Sequence, residues 1–291
     1  MTGKADKAQL KRLETEGGKR GLPPRLLEFY QKLLRIRSEA EKQLGTAKVS
    51  LRNGDVTSCL ENGVPLLSFD KLNIDWALLK GIFKEVTATF ADYADIFGEM
   101  PRSLRDRAQL PSLPKKVVRA WFEKTALPPA LPVKDANEYL LLEAIIHTTL
   151  QPFLVSHARA LHSLVEPERW RRGYCPICSG SPDFCYLDRE QGARWLICSR
   201  CDSEWLFQRL QCPYCGNQNQ NTLAYFTDDK ESYRLYVCDQ CHRYLKAIDL
   251  RRTQPILTLP LERLLTLDID RQAQEKGYRT IYSEDPGNSP D

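Results

Sequence analysis

Apolar residues recur at helical spacing through the first 165 residues, and alternating strand-like runs follow. From Pro24, the residues Leu26, Leu27, Tyr30, Leu33 and Leu34 repeat as one helix face. A second helix is expected from Asp75, whose carboxylate suits an N-cap. Trp76, Leu79, Phe83, Val86, Phe90, Tyr93 and Phe97 then line one side of it, a stripe that reads as core. A short piece with Val117, Val118, Trp121 and Phe122 follows a proline. A long apolar segment runs from Glu138 to Val165 and carries Tyr139, Leu142, Ile145, Ile146, Thr149, Phe153, Leu161 and Leu164. Pro152 is expected to kink or divide it. Prolines between Pro101 and Pro132 mark loops, and a packed helical bundle is the natural arrangement. The first 20 residues are polar, include Gly17-Gly18, and read as a loose tail. Strand-like runs come later, at Phe184 to Leu187, Trp195 to Ile197, Leu223 to Phe226 and Tyr233 to Val237.

Cysteines punctuate those runs. Eight of the ten form four Cys-x-x-Cys pairs: Cys175/Cys178, Cys198/Cys201, Cys212/Cys215 and Cys238/Cys241. Two thiolates three positions apart can grip one metal ion from a single turn, and a tetrahedral ion needs two such turns. The 19 and 22 residues between partner pairs suit hairpins that bring the second turn back to the first. The second set begins 37 residues after the first, so the pattern is an internal duplication. Pro176, Pro213, Gly180 and Gly216 favour tight knuckles. Four disulfides would need an exported chain, and the N-terminus carries no apolar signal segment. Sulfur-only tetrahedral sites take iron or zinc, and both stay open. Cys238-Asp-Gln-Cys241-His242 also matches a haem-attachment motif, but that use would strand Cys212 and Cys215. Cys185 reads as a buried apolar thiol, and Cys59 lies in a turn-like stretch with no neighbouring base.

Charge narrows the use of such modules. The net charge is +4, yet the residues from Arg171 onward hold 16 basic against 17 acidic side chains, and the window Gly173–Leu250 holds 8 against 10. A zinc ribbon that binds nucleic acid, the alternative reading, would present a basic face to phosphates. A protein partner fits better. No run of 18 apolar residues appears, so no membrane span is expected. Free thiolates suit a reducing cytoplasmic setting. His147, His157 and His162 read as capped or half-buried helix residues, and no catalytic or phosphate-binding motif is present. An enzyme is therefore not expected.

Tyr174-Cys-Pro-Ile-Cys178, Trp195 to Trp205 with its Cys-Ser-x-Cys-x-x-Glu-Trp run, Cys212-Pro-Tyr-Cys-Gly216, Cys238-Asp-Gln-Cys241 and Tyr244-Leu-Lys246 together resemble the formate dehydrogenase accessory proteins called FdhE. Pro65-Leu-Leu67, Asp75 to Leu79, Leu264 to Asp268, Ala273 and Gly277-Tyr278 extend the resemblance from about Leu22 to Tyr278. His242 departs from the small residue often found there. The resemblance implies a mostly α N-terminal bundle, two small β modules of rubredoxin-like or zinc-ribbon type, and a C-terminal helix. The expected division is a flexible basic tail at 1–21, a helical domain at 22–172, and metal modules at 173–211 and 212–291, the last including the C-terminal helix. It further implies two tetrathiolate metal ions, iron or zinc, held by the eight paired cysteines. The implied partner is the catalytic subunit of formate dehydrogenase, bound in the cytoplasm. No oligomeric state is implied.

Overall fold

Helical spacing becomes helices, and the alternating runs become strands, in the computed structural model, which describes residues 2–101, 104, 113–128, 135–253 and 258–282. Pro111, Pro129 and Pro132, read above as loop markers, lie outside them. In chain order the helices are α1 (Thr2–Lys19), α2 (Pro24–Leu44), α3 (Asn53–Asn62), α4 (Trp76–Asp92), α5 (Ala94–Phe97), α6 (Lys115–Glu123), α7 (Ala136–Leu161), α8 (Leu259–Leu265) and α9 (Leu267–Glu275). The strands are β1 (Pro182–Leu187), β2 (Arg194–Cys198), β3 (Glu204–Phe207), β4 (Leu223–Thr227), β5 (Tyr233–Cys238) and β6 (Arg243–Asp249). Two compact units result: Met1–Val49 with Leu67–Ala160, and Ser50–Leu66 with Leu161–Asp291.

The first unit is helical. Asp75 caps α4 as expected, its carboxylate accepting from the Ala77 and Leu78 N–H groups at 3.0 Å. The α4 stripe is core: Leu79, Phe83, Val86 and Phe90 are buried, and Phe29 of α2 meets Phe90, Tyr93 and Phe97 edge-on or tilted at 5.0, 5.3 and 4.4 Å between ring centroids. Trp76, at the head of the stripe, stays exposed. The residues expected to form a loose tail instead form α1, which packs on α2 and buries Leu13. Gly17 serves that contact, because a Cβ there would lie 2.4 Å from a Leu27 methyl. Pro152 sits inside α7 without dividing it. The bond its missing N–H forgoes is offset by burial of Phe153, Leu154 and Val155. His157 is buried: its Nδ1–H donates to Phe153 O at 2.8 Å, and its Nε2 accepts the Asn73 N–H at 3.3 Å. His147 stacks on Trp121, whereas His162 is exposed.

The second unit holds the expected modules, fused. Strands β1-β2-β3 and β4-β5-β6 are antiparallel meanders, and they join through a parallel β1–β6 seam into one sheet ordered β3-β2-β1-β6-β5-β4. At the seam Cys185 faces Ala247, both fully buried. Two small side chains let the meanders close there, and burial pushes the Cys185 thiol up to about 12. β3 and β6 lie beyond the four expected runs, each beginning within a few residues of a knuckle. Lys246 of β6 is buried under α8 and α9, where its ammonium donates to Arg263 O, Thr266 O and Asp270.

Candidate metal centres

Each Cys-x-x-Cys pair sits at the tip of a hairpin or tight loop. The N–H of Cys175, Cys198 and Cys212 donates to the carbonyl five residues on, at Gly180, Ser203 and Asn217, and Cys238 faces Arg243 across the β5–β6 ladder. The residue after each second cysteine takes positive φ: Ser179 (63°), Asp202 (57°), Gly216 (75°) and His242 (52°). That turn aims both thiols of a pair inward. Gly216 matches the sequence expectation. At the first knuckle Ser179 makes the turn, and Gly180 serves a different need, since a Cβ there would lie 2.5 Å from Cys198 Sγ.

These tips bring the eight cysteines together in two groups of four, Cys175, Cys178, Cys198 and Cys201, and Cys212, Cys215, Cys238 and Cys241. Within each group the sulfurs lie within 4.8 Å of one another. In the first, Cys178 Sγ is 3.4 Å from those of Cys198 and Cys201, and Cys175 Sγ is 3.6 Å from that of Cys201. In the second, Cys212–Cys241 and Cys215–Cys238 are each separated by 3.7 Å. A tetrahedral ion with metal–sulfur bonds of about 2.3 Å needs sulfur edges of roughly 3.7–3.8 Å, so both groups fit one ion each. The Ile177 and Arg200 N–H groups point at Cys175 and Cys198 sulfurs at 3.4 Å, which suits thiolate rather than thiol.

The charges agree. In the first group, donation from its three neighbours holds Cys178 well below the ordinary thiol range, while burial pushes Cys175 and Cys201 up. In the second, donation from Cys241 lowers Cys212 to about 5, and the same contact raises Cys241. Four thiolates gathered this closely repel one another, and a cation among them would relieve that repulsion. The structure brings no third such group together among the described residues, so Cys59 and the three histidines stand outside any centre.

The surroundings of the two groups differ. All four cysteines of the first are buried; in the second, Cys215 is exposed and Cys241 partly so. Around the first, the Leu66 N–H donates to Pro176 O at 2.9 Å and the Tyr174 hydroxyl to Gly63 O at 2.8 Å, so the strap that carries α3 holds the knuckle. Trp205, buried in β3, donates from its indole to Arg172 O at 2.9 Å and packs this module. Arg263 of α8 donates to Cys198 O at 2.7 Å and pairs with Asp183 at 2.8 Å and Asp202 at 2.5 Å. Around the second, the Asn217 amide reaches Cys238 Sγ at 3.5 Å, Arg279 donates to Cys241 O at 3.3 Å, and the Tyr278 hydroxyl donates to Asp239 at 2.7 Å. Arg263, Arg279 and the strap were not foreseen; nothing local in the sequence marks a partner 60 or more residues away from Cys198 or Cys175.

Tyr214 ties the centres to the seam, its hydroxyl shared between Pro182 O and Tyr244 O at 3.1 Å. Gly173, just before the first knuckle, abuts the second, because a Cβ there would lie 1.9 Å from Pro213 O. The two centres are thus built on one framework. No helix among the described residues is long and apolar enough to cross a membrane.

No family model matches the chain. It is 27% identical over 259 residues to the FdhE homologue of Aquifex aeolicus, covering 87% of this chain and 85% of that one. The FdhE homologue of Shewanella sp. strain MR-4 is 34% identical over 110 residues, which span 37% of this chain and only 36% of that relative. The crystal structure of the FdhE protein from Pseudomonas aeruginosa superimposes with a TM-score of 0.60 over 96% of this chain and 95% of that chain, at 21% identity, and so shares its fold. Through nearly its whole length the chain is thus similar to an FdhE homologue, and it shares its fold with an FdhE protein of known structure.

Proposed function

We propose that this protein is an accessory factor in the production of active formate dehydrogenase, binding the catalytic subunit of that enzyme in the cytoplasm and not acting as an enzyme itself. The sequence match through 87% of the chain to an FdhE homologue carries this reading. In it, Cys175, Cys178, Cys198 and Cys201 ligate one metal ion, iron or zinc, and Cys212, Cys215, Cys238 and Cys241 a second. A tetrathiolate iron supplies one-electron chemistry when bound, and zinc a structural link. The chain's own residues do the rest: the knuckle N–H groups stabilise thiolate, Arg263 and the α3 strap fix the first knuckles, and the sheet presents a surface to the client.

Deletion of the gene tests the accessory role. The catalytic subunit is still made, but formate oxidation is lost and returns with the intact gene. Retained oxidation in the deletion strain contradicts the reading. Affinity capture of the catalytic subunit by the whole chain tests the partner, and metal analysis of anaerobically purified protein identifies the ions.

A further inference from the structure

The sheet has two edges, and they are finished differently. β3 closes one edge with Trp205 and Phe207 buried. β4 closes the other, and four of its five residues are exposed. Its ladder with β5 is regular, without a bulge, and the strand Leu223-Ala-Tyr-Phe-Thr227 contains no lysine and no proline. Those are the devices that ordinarily stop an edge from accepting another strand.

Two bonds fix which way the β4 backbone faces. The Asp239 N–H donates to Thr222 O at 2.9 Å, and the Asp228 N–H donates to Tyr233 O at 3.3 Å. In an antiparallel pair these bonds fall on alternate residues, so Ala224 and Phe226 also face β5. Leu223, Tyr225 and Thr227 therefore turn their N–H and C=O groups outward, and no described strand pairs with them. Tyr225 is 55% and Phe226 45% exposed, and, being adjacent, they stand on opposite faces of the sheet. Each is backed by a cation, Arg234 at 5.0 Å from the Tyr225 ring and Lys276 at 5.1 Å from that of Phe226. An incoming strand finds an aromatic rail on both faces and free main-chain groups between them.

Charge selects the occupant. The strand itself is neutral, its leading end carries the amides Asn219, Gln220 and Asn221, and the turn beyond its far end carries Asp228, Asp229 and Glu231 against Lys230 and Arg252, the last paired with Glu231 at 3.2 Å, which leaves one acidic charge in excess. Two copies of β4 pairing about Tyr225 would set Asp229 opposite Asn221, so neither copy would bring a basic side chain to the other's turn. An extended segment of a partner, apolar along its length and basic at the end beside the turn, satisfies both features. We propose that the outer edge of β4 is a strand-addition site for such a segment of a partner polypeptide. The assignment deepens the accessory reading and takes the partner's identity from it, while the edge itself stands on its own geometry.

The probe is a fluorescein-labelled nonapeptide of alternating valine and threonine, with two lysines at the N-terminal end that antiparallel addition places beside Asp229. Binding to the metal-loaded full chain is followed by anisotropy. Saturable binding is expected, together with a loss of about tenfold or more in Thr227→Pro. That change removes an outward N–H and spares the β5 ladder; unchanged metal content and circular dichroism establish that it folds. Tyr225→Lys, which puts a charge on the edge, is expected to weaken binding in the same way. Moving the lysines to the other end of the peptide is expected to weaken it by a few-fold. No binding at millimolar peptide, equal binding to Thr227→Pro and Tyr225→Lys, or a dimer that both variants abolish, overturns the proposal. If the edge binds the peptide but the chain captures no catalytic subunit, only the accessory reading fails.

Discussion

The two cysteine groups hold four cysteines each and share a knuckle geometry and a sheet, yet one is sealed and the other open. In the first, all four cysteines are buried, and α8 and the α3 strap grip the knuckles from both sides. In the second, Cys215 is exposed, and the C-terminal segment holds Cys241 by a longer bond. The two cysteine sets are alike, and residues from elsewhere in the chain make their surroundings unequal. A sealed centre belongs to the core, so losing it means losing the unit. An open centre is reachable by solvent, chelators and partners while the fold persists.

Removal of one ligand from each centre breaks the comparison most sharply. Cys198→Ser is expected to abolish cooperative unfolding of the second unit, since structural metal binding of about 10 kcal/mol or more is part of its folding free energy. Cys215→Ser is expected to keep the fold and lose mainly the second ion. Thermal melts with metal analysis distinguish them, and similar behaviour of the two variants would erase the difference. The clasping arginines come next. Arg263→Met leaves the largely covered carboxylates of Asp183 and Asp202 without this cation and is expected to cost about 3 kcal/mol. Arg279→Met is expected to cost about 1 kcal/mol, the worth of one hydrogen bond. Denaturant midpoints measured on the metal-loaded protein check both.

The smallest effect lies in the helical unit, which carries neither centre. Burial holds the His157 pKa below its ordinary 6.5, so the unfolded chain takes up the proton first. Stability is therefore complete above that value and falls as pH drops below it, when the Nε2 acceptor for Asn73 is lost. Melts between about pH 8 and pH 5 with metal content followed in parallel are expected to show this slope, and His157→Gln to flatten it.

How much of this was legible depended on range. The cysteine pairs were legible because two ligands three apart and a turn are a local pattern. Asp75 and the α4 stripe were legible for the same reason. The β1–β6 seam was not, because parallel pairing carries no turn signal and Cys185 and Ala247 are unremarkable alone. Gly17 read as slack and serves as a packing surface. Ser179, Asp202 and His242 take positive φ with no glycine to announce it, held there by the hairpins they close. The inequality of the centres was also out of reach, because it is made by Arg263 and the α3 strap.

Native mass spectrometry of anaerobically purified protein during incubation with excess chelator tests the central claim most directly. Two ions per chain are expected at the start, followed by a species with one ion that persists while the chain stays folded, and Cys215→Ser is expected to begin as that species. Release of both ions in one step, or a starting content other than two, would contradict the account.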